Sequence, residues 1–521
     1  MQFPENPVLT KELRTRMRGT RAYWILLAYI GLPSLVVLLT YVSYTAFQNN
    51  SNGGQAAFQL GKVFYSTVFT IQALLVGLIT PALTAGGVSL EKEQRTYDLL
   101  SLTKLPRRAI IQGKLFAATL FVALLLTASL PLVSICFLLG GVSPSQVISA
   151  YMILLSCAFL YGSVGIASSS VAKSTTNATS LAYGMILVIF FCTLPLALMG
   201  MSRSFSGGGG SSGYGLTGLN PIGAVGSGNL SEVYFGLTLP AWLPALLVNS
   251  LFGTVLTVTA IHRLEYPRTD RTPLLRLLCA GLTFLLAFFF YGFLAPNAPG
   301  GLNHNNAMAA VAMLTLCGAA LMAAVFSTGD AIVAPGSLLR LIFDPRRLRV
   351  GDAASGLLYS VLLVLICGGV LYVGIDRASH DAVLKLMLLT LAFLWLLGTM
   401  GILLSQVARS RWAALAATLA FTSVLSITPM FSQINTGGQT RKPTFADNLL
   451  YLSPFPAAME VSGENMKDLR SPKLVFGKTP FLPITAALYG IGGIVFLMAA
   501  EGSRKGTKRG ETLLHGNAQT L

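Results

Sequence analysis

Long apolar runs separated by short polar segments dominate the chain. A helix needs about 20 mainly apolar residues to cross the hydrocarbon core of a bilayer. The runs that meet this length predict twelve membrane spans, at 22–45, 63–88, 110–139, 147–170, 178–201, 239–260, 277–296, 306–328, 354–375, 383–406, 412–431 and 483–501. Pro33, Pro131 and Pro195 fall inside spans, where we expect kinks because neighbouring helices can satisfy the freed backbone groups.

The composition strengthens this prediction. Of 521 residues, 53% are hydrophobic and 11% are charged, and the mean hydropathy is +0.67. Ordinary soluble domains are about 45–50% apolar even when glycine is included. We therefore expect an all-α polytopic membrane protein.

The basic residues predict the orientation. With a cytoplasmic N-terminus, the N-terminal tail, the loops on that side and the C-terminal tail hold 26 of the 36 Lys and Arg residues. Six of the other ten lie in the long loop 432–482. The net charge of +17 is therefore mostly a topological signal. We expect no nucleic-acid partner, because the charges are dispersed among short loops.

The N-terminal segment "NPVLTKELRTRMRG" begins like a helix, with Asn6 as its cap and Pro7 at its first position. Its apolar residues on one side are Val8, Leu9, Leu13 and Met17. We predict an interfacial amphipathic helix on the inner membrane surface. A basic tail that only sets topology is the alternative. No cleavable signal peptide is expected, because Met1 to Gly19 lacks an apolar core.

The positions of the cysteines and histidines predict neither disulfides nor a metal site. All six cysteines lie in predicted spans, where we expect packing rather than disulfides. The four histidines lie in separate loops or tails, so no metal site is predicted.

Three short segments recur in the same order. "LLSLTKLPRR" at 99–108 returns as "LLRLIFDPRR" at 338–347, "VAKS" at 171–174 as "VARS" at 407–410, and "LNPIGAV" at 219–225 as "LSPFPAA" at 452–458. Each pair occupies equivalent places in two halves of six spans. We predict two parallel six-helix repeats, about 1–265 and 266–521.

The charges concentrate at 89–114, "SLEKEQRTYDLLSLTKLPRRAIIQGK", in the loop between the second and third spans. Glu91 and Arg95 have the i,i+4 spacing of an ion pair, and Pro106 marks the boundary before the third span. A short helix held between two membrane helices can transmit force from a soluble partner. The alternative is a solvated loop that only sets topology.

The segments "NPVLTKELRTRMRG", "EKEQRTYDLLSLTKLPRRAIIQGK" and "LNPIGAV" together resemble the permease subunits of ABC-2-type transporters. In that family the chain begins with an interfacial helix, and the loop after the second span docks on a separate ATPase subunit. The resemblance implies an ATPase-coupling loop formed by Glu91, Lys92, Glu93, Arg95, Tyr97, Asp98, Leu99, Leu100, Pro106, Arg107, Arg108 and Lys114.

The second half departs from the pattern. A second coupling loop there would consist of Leu338, Leu339, Pro345, Arg346 and Arg347, but "GDAIVAPG" at 329–336 replaces the acidic cluster. Common members of the family are six-span chains that pair, so this chain resembles a fused tandem. The resemblance implies that two copies of the ATPase bind this chain in the lipid bilayer. It is also compatible with a further permease or accessory subunit as a partner.

No catalytic apparatus is recognised. A phosphate-binding loop needs G-x-x-x-x-G-K-[ST], and the nearest segment, "PKLVFGKT" at 472–479, lies in an outer loop and lacks the first glycine. "NTGGQ" at 435–439 is a poor match to the ABC signature on the same side. We expect no catalytic, cofactor or metal residues in this chain, with ATP and Mg bound by the partner ATPase.

The predicted function is export of a lipid, drug or other amphipathic substrate across the inner membrane of a prokaryote, with both termini cytoplasmic. An ion-coupled secondary transporter is one alternative, although the spans hold no Asp or Glu except Glu501 at an end. A membrane scaffold is another. The outer loops 202–238 and 432–482 have no assigned role, and the Gly/Ser-rich stretch 203–218 fits a re-entrant element or a linker equally well.

Overall fold

The structure, a computed structural model, describes residues 7–47, 53–96, 106–140, 142–205, 220, 231–235, 237–240, 242–265, 269–294, 304–327, 337–344, 353–375, 379–407, 411–434, 451–461 and 480–518. The chain divides into two compact units, Met1–Phe289 and Phe290–Leu521. This boundary lies inside a helix, later than position 265. The internal repeat stays a prediction.

Unit 1 consists of helices and one short hairpin in its described part. The helices are α1 (Pro7–Met17), α2 (Thr20–Phe47), α3 (Gly53–Thr84), α4 (Gly86–Glu93), α5 (Arg107–Ala128), α6 (Leu130–Leu139), α7 (Pro144–Val171), α8 (Thr175–Phe205), α9 (Trp242–Glu265) and most of α10 (Thr272–Leu294). The strands β1 (Ser231–Tyr234) and β2 (Leu237–Pro240) pair antiparallel, with Ser231 opposite Pro240. This hairpin, in the segment between α8 and α9, was not predicted from the sequence.

Unit 2 begins with the last residues of α10. Its further helices are α11 (His304–Ser327), α12 (Leu338–Ile342), α13 (Ala353–Gly374), α14 (His380–Val407), α15 (Arg411–Ile434), α16 (Pro454–Val461) and α17 (Phe481–Ala518). The segments 435–450 and 462–479, with both weak nucleotide-binding matches, lie outside the described residues.

The helices confirm the all-α polytopic class. In the part of the chain that the structure describes, nine helical stretches are long and apolar enough to cross a membrane, and they coincide with nine of the predicted spans. The other three predicted spans fall on α8, α11 and α15, in which the apolar stretches among the described residues are Thr175–Phe191, Val311–Ser327 and Ala413–Leu425. The count of twelve spans and the orientation stay predictions.

The surfaces of several spans need lipid. On α2, Leu35, Leu38 and Leu39 are each more than half exposed, and so are Ile491 and Val495 on α17. Contiguous apolar surface of this kind is rare on soluble monomers. In a bilayer, lipid tails shield this apolar surface from water.

α7 lies at the centre of unit 1, where it packs against α3, α5, α8 and α9. Asn249 of α9 donates a hydrogen bond to Ser156 (3.3 Å), and Thr257 of α9 donates to Ser163 (3.1 Å). Such bonds between membrane helices contribute about 0.6 kcal/mol each. Helix α14 has the corresponding central place in unit 2 and packs against α11, α13, α15 and α17.

Pro131 coincides with an interruption of the third span. α5 ends at Ala128 and α6 begins at Leu130, while Ser129 keeps a right-handed helical backbone. The buried Ser129 hydroxyl accepts a hydrogen bond from Gln72 (2.9 Å) and lies 3.1 Å from the Tyr151 hydroxyl. The same hydroxyl donates to the carbonyl oxygen of Leu126 (2.6 Å). The interruption is therefore bonded to α3 and α7, as expected for a kink rather than an end.

Candidate functional site

The charged stretch begins as α4, which follows α3 almost without a break. Ala85 between them keeps a right-handed helical backbone (φ −62°, ψ −32°). α4 ends at Glu93, and Arg95 has a left-handed backbone (φ 58°). The expected i,i+4 pair of Glu91 with Arg95 is therefore wrong, because Arg95 lies beyond the helix. Glu91 pairs with Lys114 instead.

Four side chains from α1, α4 and α5 form what we call the ionic clamp: Glu12, Arg16, Glu91 and Lys114. The Lys114 ammonium of α5 lies 2.8 Å from the Glu91 carboxylate of α4 and 3.0 Å from the Glu12 carboxylate of α1. Arg16 lies 3.7 Å from Glu12, one helical turn away. One cation thus joins two carboxylates from separate elements.

The clamp is well shielded from solvent. Lys114 is only 7% exposed, and a buried ammonium is stable only when it is paired and hydrogen-bonded. Arg16 also donates to the carbonyl oxygen of Leu83 (3.0 Å) in the last turn of α3. Burial lowers the pKa of the Arg16 guanidinium, and the Glu12 charge opposes this shift. Arginine stays protonated even so, and it connects α1 to α3 as well.

The other two charges of α4 satisfy the ends of neighbouring helices. Lys92 donates to the carbonyl oxygen of Ser170 (2.7 Å), in the last turn of α7. Glu93 accepts hydrogen bonds from the backbone N–H (3.2 Å) and the hydroxyl (2.8 Å) of Thr175, where α8 begins. Terminal helix turns have unpaired carbonyls and N–H groups that such side chains satisfy.

The N-terminus of α4 is capped from another helix. The backbone N–H groups of Val88 and Ser89 both donate to the hydroxyl oxygen of Ser169 on α7, at 2.8 Å each. Ala85, at the cap position itself, makes no side-chain hydrogen bond. Ser169 therefore caps α4. Because Ser169 lies 80 residues after Ser89 in the sequence, no local motif predicts this cap.

α5 is held at its start by α9. The Arg107 guanidinium donates to the carbonyl oxygen of Leu264 in the last turn of α9. Beside it, Glu265 accepts from Arg271 at 2.6 and 2.9 Å. The start of the third span is thereby tied to the end of the sixth.

The predicted coupling residues divide into two groups in the structure. Glu91, Lys92, Glu93, Arg107 and Lys114 make the contacts described above, all within unit 1. Three others are exposed: Arg95, Pro106 and Arg108. Tyr97, Asp98, Leu99 and Leu100 lie outside the described residues. A direct contact of any of them with an ATPase stays a prediction.

The second predicted loop is described only in part. Leu338 is buried at the start of α12, whereas Leu339 is 52% exposed. Pro345, Arg346 and Arg347, and the segment 329–336, lie outside the described residues.

Four participants were not predicted from the sequence: Glu12, Arg16, Ser169 and Thr175. Glu12 carried a signal, since Glu5 is the only other acid before Glu91. A single carboxylate among many basic residues suggests a specific pair. Ser169 and Thr175 are ordinary hydroxyl residues and carried none.

The arrangement makes α4 a rigid connection between several membrane helices. Its side chains and backbone bond to α5, α7 and α8, and through Lys114 to α1. A displacement applied to the exposed end of α4 would therefore move these helices together. The site holds charges in place and presents no arrangement of nucleophile and base for catalysis among the described residues.

We expect Ser169→Ala to loosen α4, because it removes the acceptor for two N–H groups. Loss of a helix cap costs about 1 kcal/mol, so amide exchange at Val88 and Ser89 should quicken roughly fivefold. Hydrogen-exchange mass spectrometry of the purified chain measures this. The matched control is Ser170→Ala, because the Ser170 hydroxyl bonds only within α7, to Ala167. Equal exchange in the two variants would contradict the capping role.

Comparison with known families gives one match. Residues 7–222 match the family described as ABC-2 family transporter protein. The match includes α1 to α8, and therefore all of the ionic clamp, and includes no part of unit 2. A comparison with curated proteins found no match.

Proposed function

Because residues 7–222 match the family of ABC-2 transporter proteins, we propose that this chain is an exporter's permease, driven by a separately encoded ATPase that docks at the α4 end of unit 1. The family match and the apolar helices support the coarser part of this proposal, a multi-pass membrane permease of an ABC transporter, and permeases of that family are the transmembrane, non-catalytic components. The ATPase contact and the export are our proposal.

The observation that carries the proposal is the way α4 is held. Glu91, Lys92 and Glu93 bind to α5, α7 and α8, while Gln94, Arg95 and Thr96 are exposed just after α4. A loop that only sets topology needs no such connections. A loop that transmits force needs one end fixed to the membrane helices and the other accessible to a partner.

The partner would bind ATP and Mg, since no nucleotide-binding loop was recognised in this chain. We propose two ATPase copies, one beneath each unit, with the second contacting Leu339 and the segment that follows α12. Both termini would be cytoplasmic, in the inner membrane of a prokaryote. The substrate we propose is a lipid, drug or other amphipathic molecule, which suits the largely apolar spans.

The test is purification of the tagged chain in mild detergent from its native host. We expect an ABC ATPase to co-purify in stoichiometric amount and to hydrolyse ATP. The double change Glu91→Ala, Glu93→Ala should release the ATPase or lower its coupled activity by about tenfold or more, because it unfastens α4 from α5 and α8. The control is Asp381→Ala, which removes an exposed ion pair with Lys385.

Two results would contradict the proposal. A chain that purifies alone and shows no associated hydrolysis would favour the scaffold. A chain that transports without ATP would favour an ion-coupled carrier. In either case the α4 contacts would be structural only.

A further inference from the structure

The central helices of the two units carry the same pair of glycines. Gly162 and Gly165 lie on α7, and Gly398 and Gly401 lie on α14, each 236 positions later. The same shift separates "VAKS" at 171–174 from "VARS" at 407–410. Both helices pack against the second, third, fifth and sixth predicted spans of their own half.

In unit 1 the glycines receive the elements on either side of the charged loop. A Cβ added at Gly165 would overlap the Thr84 hydroxyl, at the last residue of α3. A Cβ added at Gly162 would lie 2.9 Å from Cδ1 of Leu115 on α5. α3 and α5 therefore both rest on the bare surface of α7.

In unit 2 the corresponding glycines face the corresponding elements, although Gly401 is less tightly packed than Gly165. A Cβ added at Gly401 would lie 3.4 Å from Cβ of Ser327, the last residue of α11. A Cβ added at Gly398 would overlap Cδ1 of Leu357 on α13. Ser327 thus corresponds to Thr84, and Leu357 corresponds to Leu115.

This correspondence places Gly356 at the position of Lys114, since each precedes its leucine. Lys114 holds the ionic clamp together. At Gly356 a Cβ would overlap the carbonyl oxygen of Phe326 on α11, so the backbones of α11 and α13 are in direct contact. No side chain fits where unit 1 has its central cation.

We infer that the two units position the loop between their second and third spans by different means: the ionic clamp around Lys114 in unit 1, and direct backbone packing at Gly356 in unit 2. The segment "GDAIVAPG" at 329–336, which has one acidic residue where unit 1 has a cluster of acids, agrees with this. If the proposed function holds, Lys114 and Gly356 position the loops that contact the ATPase subunits. The binding surfaces of the two units are then not equivalent.

The test uses the purified full-length chain without any ATPase, so that its outcome does not depend on the proposed function. Brief trypsin digestion followed by mass spectrometry gives the cleavage rates within 92–108 and within 340–349, which track how often each loop opens. The variants are Lys114→Met, Glu12→Gln and Gly356→Ala. The matched controls are Lys385→Met, at an exposed ion pair, and Gly369→Ala, where an added Cβ meets nothing within 4 Å.

We expect Lys114→Met to speed cleavage within 92–108 by about tenfold, with less than about twofold change within 340–349. Glu12→Gln should act on the same segment although it lies on α1, and its effect should be smaller in the Lys114→Met background, where the contact between Glu12 and Lys114 is already lost and only the contact with Arg16 remains. Gly356→Ala should speed cleavage within 340–349 alone. Both controls should leave both rates within about twofold.

The inference is wrong if Lys114→Met speeds the two segments equally, or if Glu12→Gln leaves 92–108 unchanged. It is equally wrong if Gly356→Ala and Gly369→Ala give the same rates within 340–349. Glu12→Gln leaves the buried Lys114 cation in place. It therefore tests the role of the ionic clamp even if the Lys114→Met protein does not fold.

Discussion

Lys114→Met is expected to lower the midpoint of thermal unfolding of the full-length chain by about 10 °C and to uncouple its ATPase. Methionine preserves the length of the side chain, so packing beside Gly87 changes little. The change removes the cation from between the Glu12 and Glu91 carboxylates, which lie 3.0 and 2.8 Å from it. Breaking a buried ion pair costs about 3–5 kcal/mol, which in a unit of this size corresponds to a shift of that order.

The matched control for this change is Lys385→Met. Lys385 and Asp381 are 2.5 Å apart but their side chains are 51% and 77% exposed, and exposed i,i+4 pairs contribute only about 0.3–0.5 kcal/mol. The two variants lose the same charge and gain the same side chain. Equal, small shifts in both would mean that the clamp contributes no more than a surface pair.

Gly356→Ala is expected to destabilise unit 2 by about 2–3 kcal/mol. The methyl group would overlap the carbonyl oxygen of Phe326. A side chain can rotate away from such an overlap, whereas a backbone carbonyl in α11 cannot, so the two helices must separate. We expect the midpoint of thermal unfolding to fall by about 5 °C or more.

Gly369→Ala on the same helix gives the opposite expectation. An added Cβ meets nothing within 4 Å there, and alanine is favoured over glycine inside a helix by up to about 1 kcal/mol. The midpoint should therefore stay unchanged or rise. A fall of similar size in both variants would show that α13 tolerates no change, and the close approach at Gly356 would explain nothing.

The membrane helices were predictable because one property decides them. A span needs an apolar run of sufficient length, and length and composition are both visible in the sequence. The hairpin of β1 and β2 was not predictable in this way. Ser231–Tyr234 and Leu237–Pro240 are four residues each, too short for their alternation to be distinguished from the surrounding loop.

The charged loop was found from its charges, but its contacts were not. Local spacing suggested that Glu91 would pair with Arg95, and the helix ends before Arg95. The pairs that form join residues far apart in sequence: Glu12 with Lys114, Ser169 with Val88, and Glu93 with Thr175. Such pairs follow from helix packing. No periodicity along the chain encodes them.

The structure also changes the meaning of the charges in this loop. Glu91, Lys92 and Glu93 were expected to face an ATPase, and each is bonded within unit 1. Their effect on coupling would then be indirect, through the rigidity of α4. The exposed residues at its end, Gln94, Arg95 and Thr96, are the better candidates for contact with a partner.

The most direct test of the proposed coupling is photo-cross-linking from the end of α4 in the native-host membrane. A benzophenone side chain introduced at the exposed Thr96 should form a cross-link to the ABC ATPase. The same group at Leu138, which is 86% exposed at the other end of the third span, should form none. We predict that the ATPase is cross-linked from Thr96 and not from Leu138. Cross-linking of the ATPase from Leu138 but not from Thr96 would contradict the account.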